Sequence, residues 1–327
     1  MIYYWSPDYS SAVGGVKVLY RHVDILNRNG FSASIIHKKS GFRCGWFENA
    51  TKIAYLKKVT LSENDFLVIP EVYGSLYANP GERRKAYKAF SQLFDTPAKK
   101  IVFNQNTYNT FKGLSFDHDQ NRTIYRDRSI IGIMVVSEDN KEYLEYSYPG
   151  LHPFRIHNSI SHEIFSFSPD KKKQICFMPR KNADHAEQVI NIIKSRGQMN
   201  DFRIIPIENK TEAETATIMR DSLVFLSFGY PEGFSLPPAE AMACGCIVIG
   251  YHGMGAKEYF TADRCFPVEM GDVVSFAKTV EGVIGEWRNS PDTFMERSRK
   301  ASAYICDTYT RQREEEDVLE FWKSMAA

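Results

Sequence analysis

Several things are scarce in this sequence. Net charge is one: 41 Lys and Arg face 40 Asp and Glu among 327 residues, a formal balance of +1. Proteins that hold nucleic acid by counterion release are usually far more basic, so no nucleic-acid partner is expected. Cysteine is sparse. Cys44, Cys176, Cys244, Cys246, Cys265 and Cys306 form no C-x-x-C pair, and the 8 histidines show no ligand spacing, so no metal is expected. Isolated cysteines read as reduced and cytosolic. Long apolar runs are missing too. The longest, residues 130–136, is far too short for a bilayer and suits a buried parallel strand. Residues 1–10 lack the basic and apolar regions of a signal peptide, and the expected location is cytoplasmic. No Gly-x-Gly-x-x-Gly follows the first strand, where residues 12–16 read Ala-Val-Gly-Gly-Val, which disfavours a dinucleotide-dependent oxidoreductase.

What is present is ordinary globular composition, 43% hydrophobic and 25% charged, in a length that suits two domains. Short apolar runs alternate with amphipathic helical windows. Strands are expected at residues 1–5, 31–36, 66–69, 101–103 and 130–136. Val16, Leu19, Val23 and Leu26 make one helical stripe that Gly30 ends, and a second helix is expected at 81–94. A second series follows, with strands at 174–178, 202–206, 223–226, 246–250 and 265–268. Its helices are expected at 183–196, 212–220, 238–243 and 273–288. This alternation predicts an α/β protein with two doubly wound, parallel-sheet domains. The polar stretch 166–173 is the best linker, giving domains 1–165 and 166–308. Residues 309–327 form a charged helix whose apolar face, Val318, Leu319, Phe321 and Trp322, would fold back on the first domain. Residues 1–165 carry 21 basic and 16 acidic side chains (+5), and residues 166–327 carry 20 and 24 (−4). A basic helix from Arg83 reads as a solvated face or, less favoured, as a contact with an anionic membrane or acceptor.

The most informative stretch is 225–260, FLSFGYPEGFSLPPAEAMACGCIVIGYHGMGAKEYF. One strand delivers a loop around Gly229, Glu232, Gly233, Phe234 and Ser235. Pro237 and Pro238 open a helix, and the next strand delivers Gly253 and Gly255. Both glycine loops fall at the carboxyl edge of one sheet, where open α/β sheets bind ligands and free amides suit a diphosphate. Glu232 and Glu240 stand eight residues apart, as acceptors for vicinal hydroxyls. The bland alternatives are a surface acid at Glu232 and a first-turn helix-dipole partner at Glu240.

From Glu232 to Ile249 the sequence resembles the donor-site signature of retaining glycosyltransferases of the GT-B fold, family 4 type (glycosyl transferases group 1), with Ile247 where a proline is usual. Gly14-Gly15-Val16 resembles that family's first glycine loop, and Asn158-Ser159-Ile160 its Asn-Gly turn. Arg180 and Lys181 resemble its diphosphate-binding pair, although they are adjacent here rather than spaced. The stretch 101–108, with Gln105 and Asn106, stands where many relatives carry a histidine, and neutral amides cannot act as bases.

The resemblance implies two Rossmann-like domains facing a central cleft and transfer of sugar from a nucleotide-sugar co-substrate to a saccharide or lipid-linked acceptor. Retention at the anomeric carbon, no metal or other cofactor, and a role in polysaccharide or glycoconjugate synthesis are implied as well. Glu232, Arg180 and Lys181 would be catalytic. Gly14, Gly15, Gly233, Phe234, Ser235, Leu236, Glu240, Gln105 and Asn106 would bind the donor. Glu71, after the third strand, is read either as an acceptor contact or as a plain surface acid. The competing functions are an epimerase or phosphorylase of the same fold, and a non-catalytic nucleotide-sugar-binding or scaffold protein.

Overall fold

The computed structural model describes residues 1–11, 13–78, 84–114 and 122–326. The chain divides into two compact units, Met1–His157 with Glu314–Ala327, and Asn158–Arg313. The first holds β1 (Ile2–Trp5), α1 (Gly14–Arg28), β2 (Ala33–His37), β3 (Ile53–Tyr55), β4 (Phe66–Pro70), α2 (Gly74–Ala78), α3 (Arg84–Phe94), β5 (Lys99–Asn104), β6 (Ile130–Val135), α4 (Glu138–Ser147) and β7 (Phe154–Arg155). Its strands are all parallel, in the order β3-β2-β1-β4-β5-β6-β7. The winding reverses between β1 and β4, so the loops leaving those two strands diverge at the carboxyl edge. Of the helix expected at 81–94, residues 81–83 lie outside the described residues, Arg83 among them.

The predicted stripe of α1 is buried, and so are Val18, Tyr20, His22 and Ile25, so more than one face of the helix is covered. Burial pushes the His22 imidazole down to about 3, which keeps it neutral.

The second unit holds β8 (Lys172–Phe177), α5 (Ala183–Arg196), β9 (Arg203–Pro206), α6 (Glu212–Asp221), β10 (Ser222–Phe228), α7 (Leu236–Ala243), β11 (Ile247–Tyr251), β12 (Phe266–Pro267), α8 (Val273–Asn289) and α9 (Pro291–Thr308). Its parallel order is β12-β11-β10-β8-β9, with the reversal between β8 and β10. This unit starts at Asn158 rather than at residue 166. The Ile160 amide donates to the Tyr309 carbonyl (2.9 Å), and the polar stretch read as a linker is itself built in. Lys171 donates to the carbonyls of Arg220 (3.0 Å) and Cys244 (2.7 Å) at the ends of α6 and α7, and Lys172 and Lys173 open β8.

The last helix, α10 (Arg311–Ala326), joins the first unit from Glu314 on. The buried Trp322 indole donates to the Tyr4 hydroxyl (3.0 Å) and meets Phe66 edge-on. A Cβ on Gly132 would lie 3.1 Å from the Phe321 ring, so this glycine lets the helix approach the sheet closely. Glu314 accepts from Arg21 (2.7 Å), and Asp317 accepts from the backbone amide (2.8 Å) and ring (2.6 Å) of His157. The +5 and −4 halves therefore do not correspond to structural units. The first unit carries 22 basic and 20 acidic residues and the second 19 and 20, nets of +2 and −1.

Candidate active site

In the second unit the loops that leave β8 and β10 flank the reversal of winding. Lys181 from the first loop forms an ion pair with Glu232 from the second, and the other oxygen of Glu232 accepts the Ser235 hydroxyl. The two loops are tied by Asn182, a residue the motif reading passed over. It sits in the left-handed region at φ 45°, which asparagine tolerates, and its side-chain amide donates to the carbonyls of Phe228 (3.1 Å) and Gly229 (3.0 Å). An asparagine directly before a helix is the local signal for it.

Glu232 is also held through its backbone. Its amide donates to the Gly253 carbonyl (3.0 Å), and its carbonyl accepts the Gly255 amide (3.1 Å), so the two glycine loops are zipped together. A Cβ on Gly255 would stand 2.1 Å from the Gly233 carbonyl oxygen, and one on Gly229 would stand 2.8 Å from that of Tyr251. Buried Tyr259 donates to the Ser235 carbonyl; no local pattern around residue 259 announces that contact.

Arg180 is exposed and makes no hydrogen bond or ion pair with the described residues, leaving its guanidinium open to an anion. Helix α7 begins at Leu236 with Ser235 as its N-cap, two residues earlier than expected, because proline is tolerated in the first turn. Glu240 is consequently half-buried in the second turn, and the first turn holds no acid, so the helix-dipole explanation for Glu240 does not apply. Leu236 is half-buried. The Phe234 ring packs on Tyr259 (5.4 Å) and Tyr309 (5.1 Å), so this residue has only its backbone to offer a ligand.

In the first unit, Gly14 and Gly15 open α1 behind β1. The Gln105 side chain, at the end of β5, donates to the Gly15 carbonyl (3.1 Å) and covers the space where a Cβ would stand. Glu71 follows β4 directly and is buried, which removes the surface-acid reading. Its carboxylate accepts the Gln105 amide (3.1 Å) and the Asn109 side-chain amide (3.3 Å), and burial pushes its pKa up to about 7. Asn106 spends its side-chain oxygen on the Tyr108 amide (3.1 Å), leaving its NH2. The candidates Gly15, Gln105 and Glu71 thus stand together in the first unit, and Lys181, Glu232 and Ser235 stand together in the second.

Residues 170–301 match the family described as glycosyl transferases group 1. The chain carries a group 1 glycosyltransferase domain. This glycosyltransferase is 25% identical over 246 residues to an α-1,6-glucosyltransferase of Actinobacillus pleuropneumoniae serotype 7 (strain AP76), covering 73% of this chain and 69% of that protein. Among solved structures it is similar to a glycosyltransferase from Rickettsia africae ESF-5, at TM-score 0.69 and 16% identity over 99% of this chain and 98% of that one. It is also similar to the Anabaena protein HepE in complex with UDP, at TM-score 0.66 and 12% identity over 99% of each chain. Both sheets of the glycosyltransferase are accordingly those of the GT-B fold, in two Rossmann-like units. Among the described residues no helix is long and apolar enough to cross a membrane.

Proposed function

We propose that this glycosyltransferase moves a sugar from a nucleoside-diphosphate sugar to a saccharide or lipid-linked acceptor, with retention of anomeric configuration and without a metal. The observation that carries the reading is the pairing of Lys181 with Glu232, at zipped glycine loops beside an unpaired Arg180. As the glycosidic bond breaks, negative charge grows on the leaving diphosphate. Arg180, Lys181 and the amides of Gly233, Phe234 and Ser235 meet that charge with groups already oriented. Glu232 takes sugar hydroxyls, and Glu240, on the next turn of α7, takes the ribose hydroxyls. In the first unit, Gly14, Gly15, Gln105 and Asn106 offer amides and carbonyls to substrate phosphate and hydroxyls. The reading assigns no covalent nucleophile, and has the acceptor hydroxyl attack directly on the face that the diphosphate leaves. The reading extends to cytoplasmic polysaccharide or glycoconjugate synthesis, with the first unit in peripheral contact with the inner membrane face.

The test is calorimetry with UDP, the nucleotide seen on HepE, followed by a thermal-shift screen of UDP-, GDP-, ADP- and dTDP-sugars. Arg180→Ala and Glu240→Ala should each weaken binding of the nucleotide sugar that stabilises the wild type. Unchanged affinity in both variants sinks the site. A protein that binds a donor but neither hydrolyses nor transfers its sugar is the non-catalytic alternative.

A further inference from the structure

Glu71 differs from the other buried carboxyls of its unit. Glu314 has Arg21 and Asp317 has His157, whereas the donors to Glu71 among the described residues are neutral. Its two oxygens have separate tasks. Oε2 accepts the backbone amide of Gln105 and Oε1 accepts the side chain of Asn109, so one carboxylate clamps both ends of the 105–109 turn. Gln105 then donates its own side chain to the Gly15 carbonyl at the head of α1. Three neighbouring strand ends, those of β1, β4 and β5, are joined by this chain of contacts. The titratable group facing Glu71 from the turn at Ile124–Arg126 is the Tyr125 phenol, which burial holds protonated.

We propose that Glu71 is a positioning residue. Its carboxylate fixes the 105–109 turn and, through Gln105, sets the glycine loop at the head of α1 for substrate. This rests on the reading of that edge as a substrate edge. The two N–H donors sit on separate oxygens. Protonation turns one of these oxygens into a hydroxyl, a much weaker acceptor, so the clamp is tightest in the ionised form. Burial among neutral donors brings that change to about neutral pH.

The experiment follows the backbone 15N amide resonances of Gly15 and Gln105 in the full chain from pH 5 to 9. In the wild type both should titrate together with a midpoint near 7, and in Glu71→Gln both should be flat. In Gln105→Ala the titration should persist at the Asn109 side-chain amide and vanish at Gly15. A flat Gly15 signal in the wild type, or one that titrates unchanged in Glu71→Gln, overturns the proposal. Consumption of UDP-glucose is read in parallel. Wild-type kcat should rise by up to tenfold per pH unit below 7 and then level, and that rise should be absent from Glu71→Gln. A protein that leaves UDP-glucose untouched removes this probe as a donor, and the amide titration still decides the role of Glu71.

Discussion

Lys181 and Glu232 meet as an ion pair between loops that leave two neighbouring strands, β8 and β10. The cation we propose for a diphosphate is thus paired with the acid we propose for a sugar. Both side chains are partly exposed, so the pair itself contributes about 0–1 kcal/mol to stability.

Removing the cation and removing the acid should therefore have different consequences. Lys181→Ala should weaken UDP binding on the order of tenfold with little change in unfolding midpoint, as expected for one lost charge-assisted contact. Glu232→Gln should bind UDP at least as tightly as the wild type, because Lys181 is released, while turnover falls on the order of 100-fold. Calorimetry with UDP and a donor-consumption assay separate the two. Loss of UDP affinity in Glu232→Gln would show that the acid supports the nucleotide rather than the sugar.

Gly255→Ala tests the zipper between the glycine loops. The added methyl would stand 2.1 Å from a backbone oxygen, so one of the two loops has to move. Overpacking of this kind costs about 1–3 kcal/mol. Urea unfolding should show that loss, and UDP binding should fall with it. Wild-type behaviour in both would mean that the loops adapt independently.

Glu71 predicts an unusual dependence of stability on pH. Its folded-state pKa, about 7, lies above the ordinary 4.5, so the folded chain holds this proton more tightly than the unfolded chain. The contribution is fully present below about pH 4.5 and is lost as pH rises through 7. From pH 5 to 8 the wild type should lose stability relative to Glu71→Gln, by at most about 3 kcal/mol. Urea midpoints of both proteins across that range decide it, and parallel curves would place the Glu71 titration elsewhere.

Trp322→Ala should lower stability by about 3–5 kcal/mol, since a fully buried indole and its bond to Tyr4 are lost together. Chemical unfolding followed by Tyr and Trp fluorescence measures this. A loss under 1 kcal/mol would mean that the sheet face closes over without the helix.

The strand–helix alternation and α5, α6, α8 and α10 were legible because long apolar stripes and cap residues mark them. β3 and β7 were missed; they are short edge strands, three and two residues long and only half-buried, so their sequences carry little period-two contrast. α4 was missed because polar residues dominate it, and only Asn140 and Leu144 are buried. α9 was missed although its buried face runs through Phe294, Ser298, Ala301, Ser302 and Ile305, because small and hydroxyl residues dilute the apolar stripe. In the site, Glu232 and its neighbours were legible because their loop is contiguous. The link from Glu71 through Gln105 to Gly15 was not, since it joins residues 34 and 90 positions apart that only the strand order brings together. The charge split misled for the same reason: acids late in the chain neutralise bases near its start.

The docking of α10 also orders events in time. Synthesis runs from the N-terminus, so the first 157 residues leave the ribosome well before Glu314 and Trp322 exist. Until then Tyr4, Phe66 and the close-approach site at Gly132 lack the helix that covers them. A nascent first unit is an incomplete domain that has to wait for this helix, and a chain halted within α10 leaves Tyr4 and Phe66, made long before, uncovered.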